Sequence, residues 1–130
     1  MNLIRLSEEQ KIVFVTTAVV LLVYGLMELH DLYSMTGIAS WYGRRFIGKK
    51  TANGEIFDPE KMTAAHRRLP MGTIVRVTNE RNGRQATVRI NDRGPYIPGR
   101  IIDLSRAAAR TMDMIERGLA PVRMEIVGKE

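Results

Sequence analysis

Two aspartates and three arginines surround a stiff turn in the segment RINDRGPYIPGRIIDLS, residues 89–105. Asp92 precedes the turn at Gly94-Pro95, and Asp103 follows it at the end of a second apolar run. Turn chemistry alone could explain this composition, because Asn, Asp, Gly and Pro all interrupt strands. Loops held between rigid strands are also where reactive side chains gather. A carboxyl group there could donate and accept protons, which is general acid–base chemistry.

Two more residues of chemical interest lie upstream. Glu55 belongs to a glycine-punctuated loop, residues 43–58, and His66 precedes a turn that contains Leu69. Each candidate has an ordinary alternative. Asp92 could only accept backbone hydrogen bonds in a turn, Glu55 could be an exposed loop charge, and His66 could be a half-buried histidine that packs near Leu69.

Length and composition exclude several kinds of site. With 130 residues the chain has room for one domain of ordinary size. It has no cysteine, so a disulfide framework, a thiolate zinc site and a cysteine nucleophile are excluded. Its two histidines, His30 and His66, are far apart in the sequence. We therefore expect no metal site and no cofactor.

The net charge of +6 is unevenly distributed. Residues 1–33 contain two basic and four acidic residues, whereas the rest contains 18 basic and 10 acidic residues, a net charge of +8. A basic domain favours polyanionic partners such as nucleic acid, anionic lipid or acidic cell-wall polymer. The arginines are scattered rather than clustered, so a solvated surface explains them as well as an anion site does.

Residues 12–27, IVFVTTAVVLLVYGLM, form an uncharged apolar stretch. As a helix it would be about 24 Å long, slightly short for a spanning helix and long for the apolar part of a signal peptide. No small-residue cleavage site follows it, which favours an uncleaved signal anchor over a cleaved signal peptide. A buried core helix is disfavoured because the stretch is apolar on every face. Basic residues precede the stretch, and the next one is Arg44. This bias predicts an anchor with a short linker in residues 1–33 and an extracytoplasmic domain in residues 34–130.

Short strands dominate the second part of the chain. Apolar and polar residues alternate between turn signals, which predicts strands at residues 36–42, 73–79, 85–91, 100–104 and 122–126. Asn82-Gly83 is a strong hairpin signal. Ser105 is a good helix N-cap, and apolar residues at helical spacing predict a helix that Gly118 ends. Five or so strands with one helix indicate a small closed barrel.

Four segments occur in an order and spacing typical of one family: GIASWYG at 37–43, TANGE at 51–55, TAAHRRLPMGTIVRVTN at 63–79 and RINDRGPYIPGRIIDLSRAAA at 89–109. Together they resemble the rare lipoprotein A family of septal-ring lytic transglycosylases, over about residues 36–127. The resemblance implies a mainly β fold, a small six-stranded double-psi beta-barrel with one short helix. Here an N-terminal hydrophobic helix precedes that barrel.

The resemblance also implies a function in cell-wall remodelling or division. An endolytic peptidoglycan lytic transglycosylase cleaves the bond between N-acetylmuramic acid and N-acetylglucosamine and leaves a 1,6-anhydro end. The catalytic residues that it implies are Glu55, His66 and Asp92. Asp103 matches an aspartate of the related expansin-type barrels and is a second-rank candidate, more structural than catalytic because it lies two residues before the helix cap.

Several residues, Asp103 among them, are predicted to contact substrate. Trp41 and Tyr42 could stack on sugar faces or could fill the barrel, and Asn53 lies in the TANGE loop. Arg93 could pair with muramic carboxylates or with a catalytic acid. We expect a monomer whose partners are peptidoglycan glycan strands and, through residues 12–27, the cytoplasmic membrane. The protein anchor would replace a lipid, since there is no cysteine to acylate.

The residues also fit this chemistry when considered on their own. Cleavage of a glycosidic bond needs a proton for the departing oxygen, and in the lytic variant the C6 hydroxyl of the sugar is the nucleophile. One carboxyl group, expected to be Asp92, could then act first as acid and later as base. The alternative function is a non-catalytic, expansin-like peptidoglycan-binding barrel. A nucleic-acid-binding barrel is disfavoured, because aromatic residues spaced for base stacking are missing.

Overall fold

The computed structural model describes residues 3–130, so residues 1 and 2 of the predicted N-terminal segment lie outside the described residues. The chain divides into two compact units, Met1–Tyr33 and Ser34–Glu130. The first unit contains helix α1, Glu8–Tyr33, which follows a 3-10 turn at Leu3–Arg5. The second unit contains all the strands and a second, short helix.

Ser7 and Gln10 cap the start of α1 reciprocally. The Gln10 N–H donates to Ser7 Oγ (3.2 Å), and the Ser7 N–H donates to Gln10 Oε1 (3.0 Å). This pair satisfies two backbone donors that the first helical turn leaves without an intrahelical partner. Beyond the cap, Glu8–Met27 is long and apolar enough to cross a membrane, with a mean hydropathy of 1.8. A membrane anchor and a signal sequence share these properties.

The second unit is a closed barrel of six strands. The strands are β1 (Ser34–Trp41), β2 (Thr63–Ala65), β3 (Thr73–Asn79), β4 (Gln85–Asp92), β5 (Arg100–Leu104) and β6 (Ala120–Lys129). Around the barrel their order is β1-β5-β2-β4-β3-β6. Helix α2, Arg106–Thr111, follows β5. The mainly β, six-stranded barrel with one short helix is therefore confirmed.

Two parallel strand pairs interlock within this barrel. β1 runs parallel to β5, and β2 runs parallel to β4, although the members of each pair are distant in sequence. The remaining neighbours are antiparallel. Because β2 lies between β4 and β5, the chain segments that carry Asp92 and Asp103 are brought to opposite edges of the same short strand.

The barrel is filled by aliphatic and methionine side chains. On β4, alternation buries Ala86, Val88 and Ile90 and leaves Thr87 exposed, as the sequence predicts. Equivalent buried residues on other strands include Val75, Val77, Ile102, Leu104, Val122 and Met124. The predicted turn at Asn82-Gly83 joins β3 and β4, and Gly83 has φ +75°, which glycine adopts without strain.

Strand β2 has no counterpart among the five strands that periodicity predicts. It has three residues, and all three are buried because β4 and β5 pair with it on both sides. Alternation cannot reveal a strand of this length, since a period of two needs at least four or so residues to be visible. His66 follows β2 directly, and in the sequence this residue indicates a possible site rather than the end of a strand.

The predicted helix that Gly118 ends is wrong in length. Helix α2 stops at Thr111, because Met112 is its C-cap and Asp113 adopts a left-handed φ of 52°. Met112 and Met114 are both fully buried. Residues two apart on a helix face nearly opposite directions, so only an early helix end lets both methionines enter the core. The predicted cap is present: Ser105 Oγ accepts from the Ala108 N–H.

Ile90 lies inside the barrel between Arg89 and Asn91 on β4 and is 0% exposed. We expect Ile90→Ala to lower the free energy of unfolding by about 2–5 kcal/mol, because the change removes buried carbon atoms and leaves a cavity. Thr87→Ala, on the exposed face of the same strand, is the control and should change it by less than about 0.5 kcal/mol. Urea unfolding followed by circular dichroism measures both, and equal effects would contradict this description of the core.

Candidate active site

One row of residues crosses four neighbouring strands. Ala65 on β2 is the register partner of Asp92 on β4 and of Asp103 on β5, and Asp103 is also paired with Ser40 on β1. Neighbouring strands are about 4.8 Å apart, so the backbones of the two aspartates are separated by about 10 Å. The barrel therefore brings Asp92 and Asp103 to the same level, on either side of a small side chain.

Three donors from three segments hold the Asp92 carboxylate. The Tyr42 hydroxyl donates to Oδ2 (2.7 Å), and the backbone N–H groups of Ala52 and Arg93 donate to Oδ1 (2.9 and 2.8 Å). An ionised carboxyl group can only accept hydrogen bonds, and this set of donors matches that requirement. The backbone carbonyl of Asp92 also accepts from the His66 N–H (3.1 Å). Asp92 thus connects the segments that carry the predicted catalytic residues.

Glu55 is held by an ion pair with β4. Its carboxylate accepts from Arg89 Nη1 and Nη2 (2.5 and 2.7 Å) and from Asn53 Nδ2 (2.7 Å). Asn91 Nδ2 makes a longer contact of 3.4 Å. The hydrogen bonds from Arg89 above all lower the pKa of Glu55 to about 2. At neutral pH Glu55 is therefore ionised, and both of its oxygens are already occupied.

Asn53, a predicted substrate contact, uses its side chain within the loop. Besides the donation to Glu55, its Oδ1 accepts from Thr51 Oγ1 (2.6 Å) and from the Glu55 N–H (3.2 Å). Its backbone N–H donates to the Asn91 carbonyl (3.3 Å), which ties the loop to β4. In this structure Asn53 organises the loop, and a substrate contact through it stays a prediction.

His66 and Arg93 are joined in one turn beside Asp92. His66 Nδ1 accepts from the N–H groups of Arg68 and Leu69 (both 3.0 Å). Burial, assisted by neighbouring arginines, lowers the pKa of His66 to about 4, so the ring is neutral and carries its proton on Nε2. Arg93 Nη1 donates to the carbonyls of His66 and Leu69 (3.2 and 2.8 Å). The guanidinium predicted to meet a carboxylate therefore binds backbone carbonyls.

Asp103 has a different environment. Burial raises the pKa of its carboxyl group to about 6, and the charge of Asp92 adds to this effect. The hydrogen bond from Ser40 Oγ (3.3 Å) and the charge of Arg100 oppose it. Burial, followed by the bond to Asp92, also raises the pKa of Tyr42, so that its hydroxyl keeps its proton. Asp103 thus retains a transferable proton at a higher pH than an exposed aspartate does.

A groove of about 560 Å³ runs along this region. Asp103 lines it together with aromatic and basic side chains: Trp41, Tyr42, Phe46, Tyr96, Arg45 and Arg100. Pockets of this kind, mostly apolar with a few convergent polar groups, are typical of binding sites. Tyr42 is 7% exposed and packs edge-on against Phe57 (ring centroids 4.6 Å apart), so it both fills the barrel wall and lines the groove.

Ser40, Arg45, Tyr96 and Arg100 were not singled out from the sequence. Tyr96 is 75% exposed in the loop after Gly94-Pro95, and an exposed aromatic residue in a glycine/proline loop was a usable signal. The others gave none, because they reach the groove only through strand pairing and loop packing. Within residues 3–130, no group of three or more histidines and acidic residues is placed to hold a metal ion.

The profile of the family described as lytic transglycolase matches residues 34–124, which is well over half of the chain. The chain belongs to the lytic transglycolase family. Its rare lipoprotein A-like relatives agree with this assignment, and the resemblance expected from the four sequence segments is confirmed.

Named relatives from two bacteria are similar to this chain. The endolytic peptidoglycan transglycosylase RlpA of Campylobacter jejuni is 61% identical over 92 residues, which cover 71% of this chain and 34% of that protein. The protein of the same name from Helicobacter pylori is 56% identical over 92 residues, 71% of this chain and 29% of that protein. The chain therefore spans about a third of the length of these relatives.

Solved structures support the barrel fold of this chain. The Streptomyces papain inhibitor superposes with a TM-score of 0.60 at 26% identity, over 73% of this chain and 94% of the inhibitor. The apo expansin of Clavibacter michiganensis gives a TM-score of 0.58 at 20% identity, over 75% of this chain and 52% of that one. Both have double-psi barrels, so the fold implied by the resemblance is confirmed.

The environment of Asp103 predicts a stability that depends on pH. Its folded pKa, raised from 3.8 to about 6, means that the folded chain keeps a proton that the unfolded chain loses. Stability from this group is complete below about pH 4 and is lost as the pH rises through 6. We expect Asp103→Asn, which cannot ionise, to be more stable than the wild type by about 2 kcal/mol above neutral pH.

The same difference should shrink towards zero near pH 3, below the ordinary pKa of 3.8, where Asp103 is largely protonated in both states. Urea unfolding at the two pH values measures it. Asp113→Asn, at an exposed aspartate, is the matched control for the loss of one carboxyl group. An Asp103→Asn variant no more stable than the wild type at neutral pH would contradict the burial of this carboxyl group.

Proposed function

We propose that this chain is an endolytic peptidoglycan lytic transglycosylase. It cleaves the bond between N-acetylmuramic acid and N-acetylglucosamine and leaves a 1,6-anhydro end, in cell-wall remodelling or division. The observation that carries the proposal is the pair Asp92 and Asp103, one hydrogen-bonded by three donors and the other half-buried at a groove. Two carboxyl groups in unlike environments can divide the roles of acid and base.

The reaction needs no water and balances within the glycan. Asp103 donates its proton to the bridging oxygen as the bond from that oxygen to the muramic C1 breaks. The C6 hydroxyl of the same sugar forms the new bond to C1, and Asp92 accepts the hydroxyl proton. The enzyme thus loses one proton at Asp103 and gains one at Asp92, and exchange with solvent restores both. Positioned proton transfer of this kind contributes about a hundred- to ten-thousand-fold in rate.

The walls of the groove suit an anionic glycan. Trp41 and Tyr96 offer aromatic surface, while Arg45 and Arg100 offer positive charge near Asp103. Muramic acid carries a lactyl carboxylate where its peptide has been removed, and a guanidinium can bind a carboxylate through two parallel hydrogen bonds. The barrel also contributes the net charge of +8 in residues 34–130, which attracts an acidic wall polymer. The names of the relatives support peptidoglycan as the substrate.

The remaining predicted residues support Asp92. His66, neutral and held through Nδ1, has its Nε2–H left to donate to a sugar hydroxyl or to water. Arg93 fixes the turn that follows His66 and donates its backbone N–H to Asp92. Both act at the edge of the site and neither is the proton donor.

Asp92→Asn and Asp103→Asn should each lower turnover by about a hundred- to ten-thousand-fold, because each removes a group that transfers a proton. Binding to insoluble peptidoglycan should change little, since the amide has nearly the size of the acid. Asp113→Asn is the control and should keep wild-type turnover. The measurement is release of soluble glycan from purified sacculi, with circular dichroism to show that each variant folds.

Folded Asp92→Asn and Asp103→Asn variants with wild-type turnover would remove the pair from the mechanism. Sacculi that bind the wild-type chain without any glycan release, on peptide-free strands as well, would instead support the expansin-like binding barrel. The expansin likeness is one of fold alone, so it does not decide between the two.

We further propose that residues 12–27 anchor the chain in the cytoplasmic membrane, with the barrel on the extracytoplasmic, periplasmic side of the cell envelope. The uncharged stretch of residues 12–27 and the basic residues Arg5 and Lys11 before it support this orientation. The chain should stay with membranes after alkaline extraction, and protease should digest the barrel in spheroplasts but not in intact cells. Release as a shortened, soluble protein would indicate a cleaved signal peptide, and a cytoplasmic barrel would contradict the proposal.

A further inference from the structure

We propose that Arg89 is a positioning residue for the reaction, which rests on the function proposed above. Through its ion pair with Glu55, Arg89 sets the loop of residues 51–55 so that the Ala52 N–H meets the Asp92 carboxylate. Glu55 is then the loop's attachment point and does not transfer a proton. Arg89 does not line the groove, and it acts on the Asp92 carboxylate through this loop.

The geometry of the ion pair fixes the orientation of Glu55 relative to β4. Arg89 donates from two nitrogens to the two oxygens of Glu55, and its side chain is 20% exposed. A third contact, from Nε to Glu130 Oε2 (3.3 Å), restrains the same guanidinium from the other side. The paired geometry of a guanidinium and a carboxylate fixes direction as well as distance, which a single hydrogen bond does not. Arg89 is three residues before Asp92, so both side chains are held by the same strand, β4.

Hydrogen bonds within the loop carry this orientation from Glu55 to Ala52. The Thr51 N–H donates to the Glu55 carbonyl (2.7 Å) and the Gly54 N–H donates to the Thr51 carbonyl (2.9 Å). Gly54 has φ +89°, a left-handed value that lets the chain reverse within five residues. Ala52 lies within the loop that these two bonds close, and its N–H donates to Asp92 Oδ1 (2.9 Å). Fixing Glu55 on β4 therefore fixes Ala52 on Asp92.

The chemistry of Glu55 agrees with this role. Both of its oxygens accept from donors of Arg89, and Asn53 donates as well. A carboxylate in this state has no proton to give and no free lone pair aligned for a sugar hydroxyl. Loss of Glu55 should then be equivalent to loss of Arg89, because each removes the same link.

The test compares Arg89→Gln, Glu55→Gln and the double variant in the full chain in detergent micelles. Each should lower kcat on the order of a hundredfold with little change in KM, the typical cost of misplacing a catalytic group by about 1 Å. The double variant should be no slower than either single variant. Arg76→Gln is the matched control, because it also removes an ion pair, Arg76 to Glu125 (3.5 Å), on strands β3 and β6. It should keep wild-type kcat.

A second readout does not need turnover. The amide resonance of Ala52, observed by nitrogen-labelled alanine and assigned by its loss in Ala52→Ser, should shift in Arg89→Gln and Glu55→Gln but not in Arg76→Gln. Glu55→Gln that abolishes turnover while Arg89→Gln is fully active would overturn the inference, as would an unmoved Ala52 resonance in both variants. A wild-type chain without turnover would refute the proposed function, and the Ala52 resonance would then decide the positioning role by itself.

Discussion

The Asp92 carboxylate is the contact on which the rest of the site depends. It accepts from Tyr42 at the end of β1, from Ala52 in the loop of residues 51–55 and from the adjacent Arg93 N–H. Each donor belongs to a segment that this contact ties to the end of β4. Hydrogen bonds to an ionised group are stronger than neutral ones and cost more when one partner is lost. One side chain therefore organises the loop and the groove wall together.

The barrel fixes the separation between the two carboxyl groups, which loops alone could not fix. Strand β2 lies between β4 and β5, and its Ala65 separates Asp92 from Asp103. Because the two parallel pairs interlock, moving either aspartate would require a register change that also moves buried core residues. Different surroundings then make the two groups unlike, since Asp92 has three donors while burial dominates at Asp103. A rigid frame and unequal environments are what acid–base chemistry at one glycosidic bond requires.

Local signals in the sequence predicted the elements that depend only on residues close together in the chain. The Asn82-Gly83 turn, the Ser105 cap and the alternation on β4 all need only neighbouring residues. Strand β2 and the early end of α2 could not be predicted in this way, because pairing on both edges decides the first and burial of two methionines decides the second. Within the site, the resemblance of the sequence motifs to a known family predicted Glu55, His66 and Asp92. The Arg89 ion pair and the groove position of Asp103 appear only when distant strands are brought together.

The central claim is that this groove breaks a glycosidic bond by intramolecular attack, without water. The most direct measurement is digestion of purified sacculi by the full chain in water enriched in heavy oxygen, followed by mass spectrometry of the new muramic ends. Intramolecular attack should yield anhydro ends, each lighter by one water than a reducing end and free of heavy oxygen. New reducing ends that carry heavy oxygen would show hydrolysis, and the absence of any new ends would show a barrel that only binds. Either result would contradict intramolecular attack at this groove.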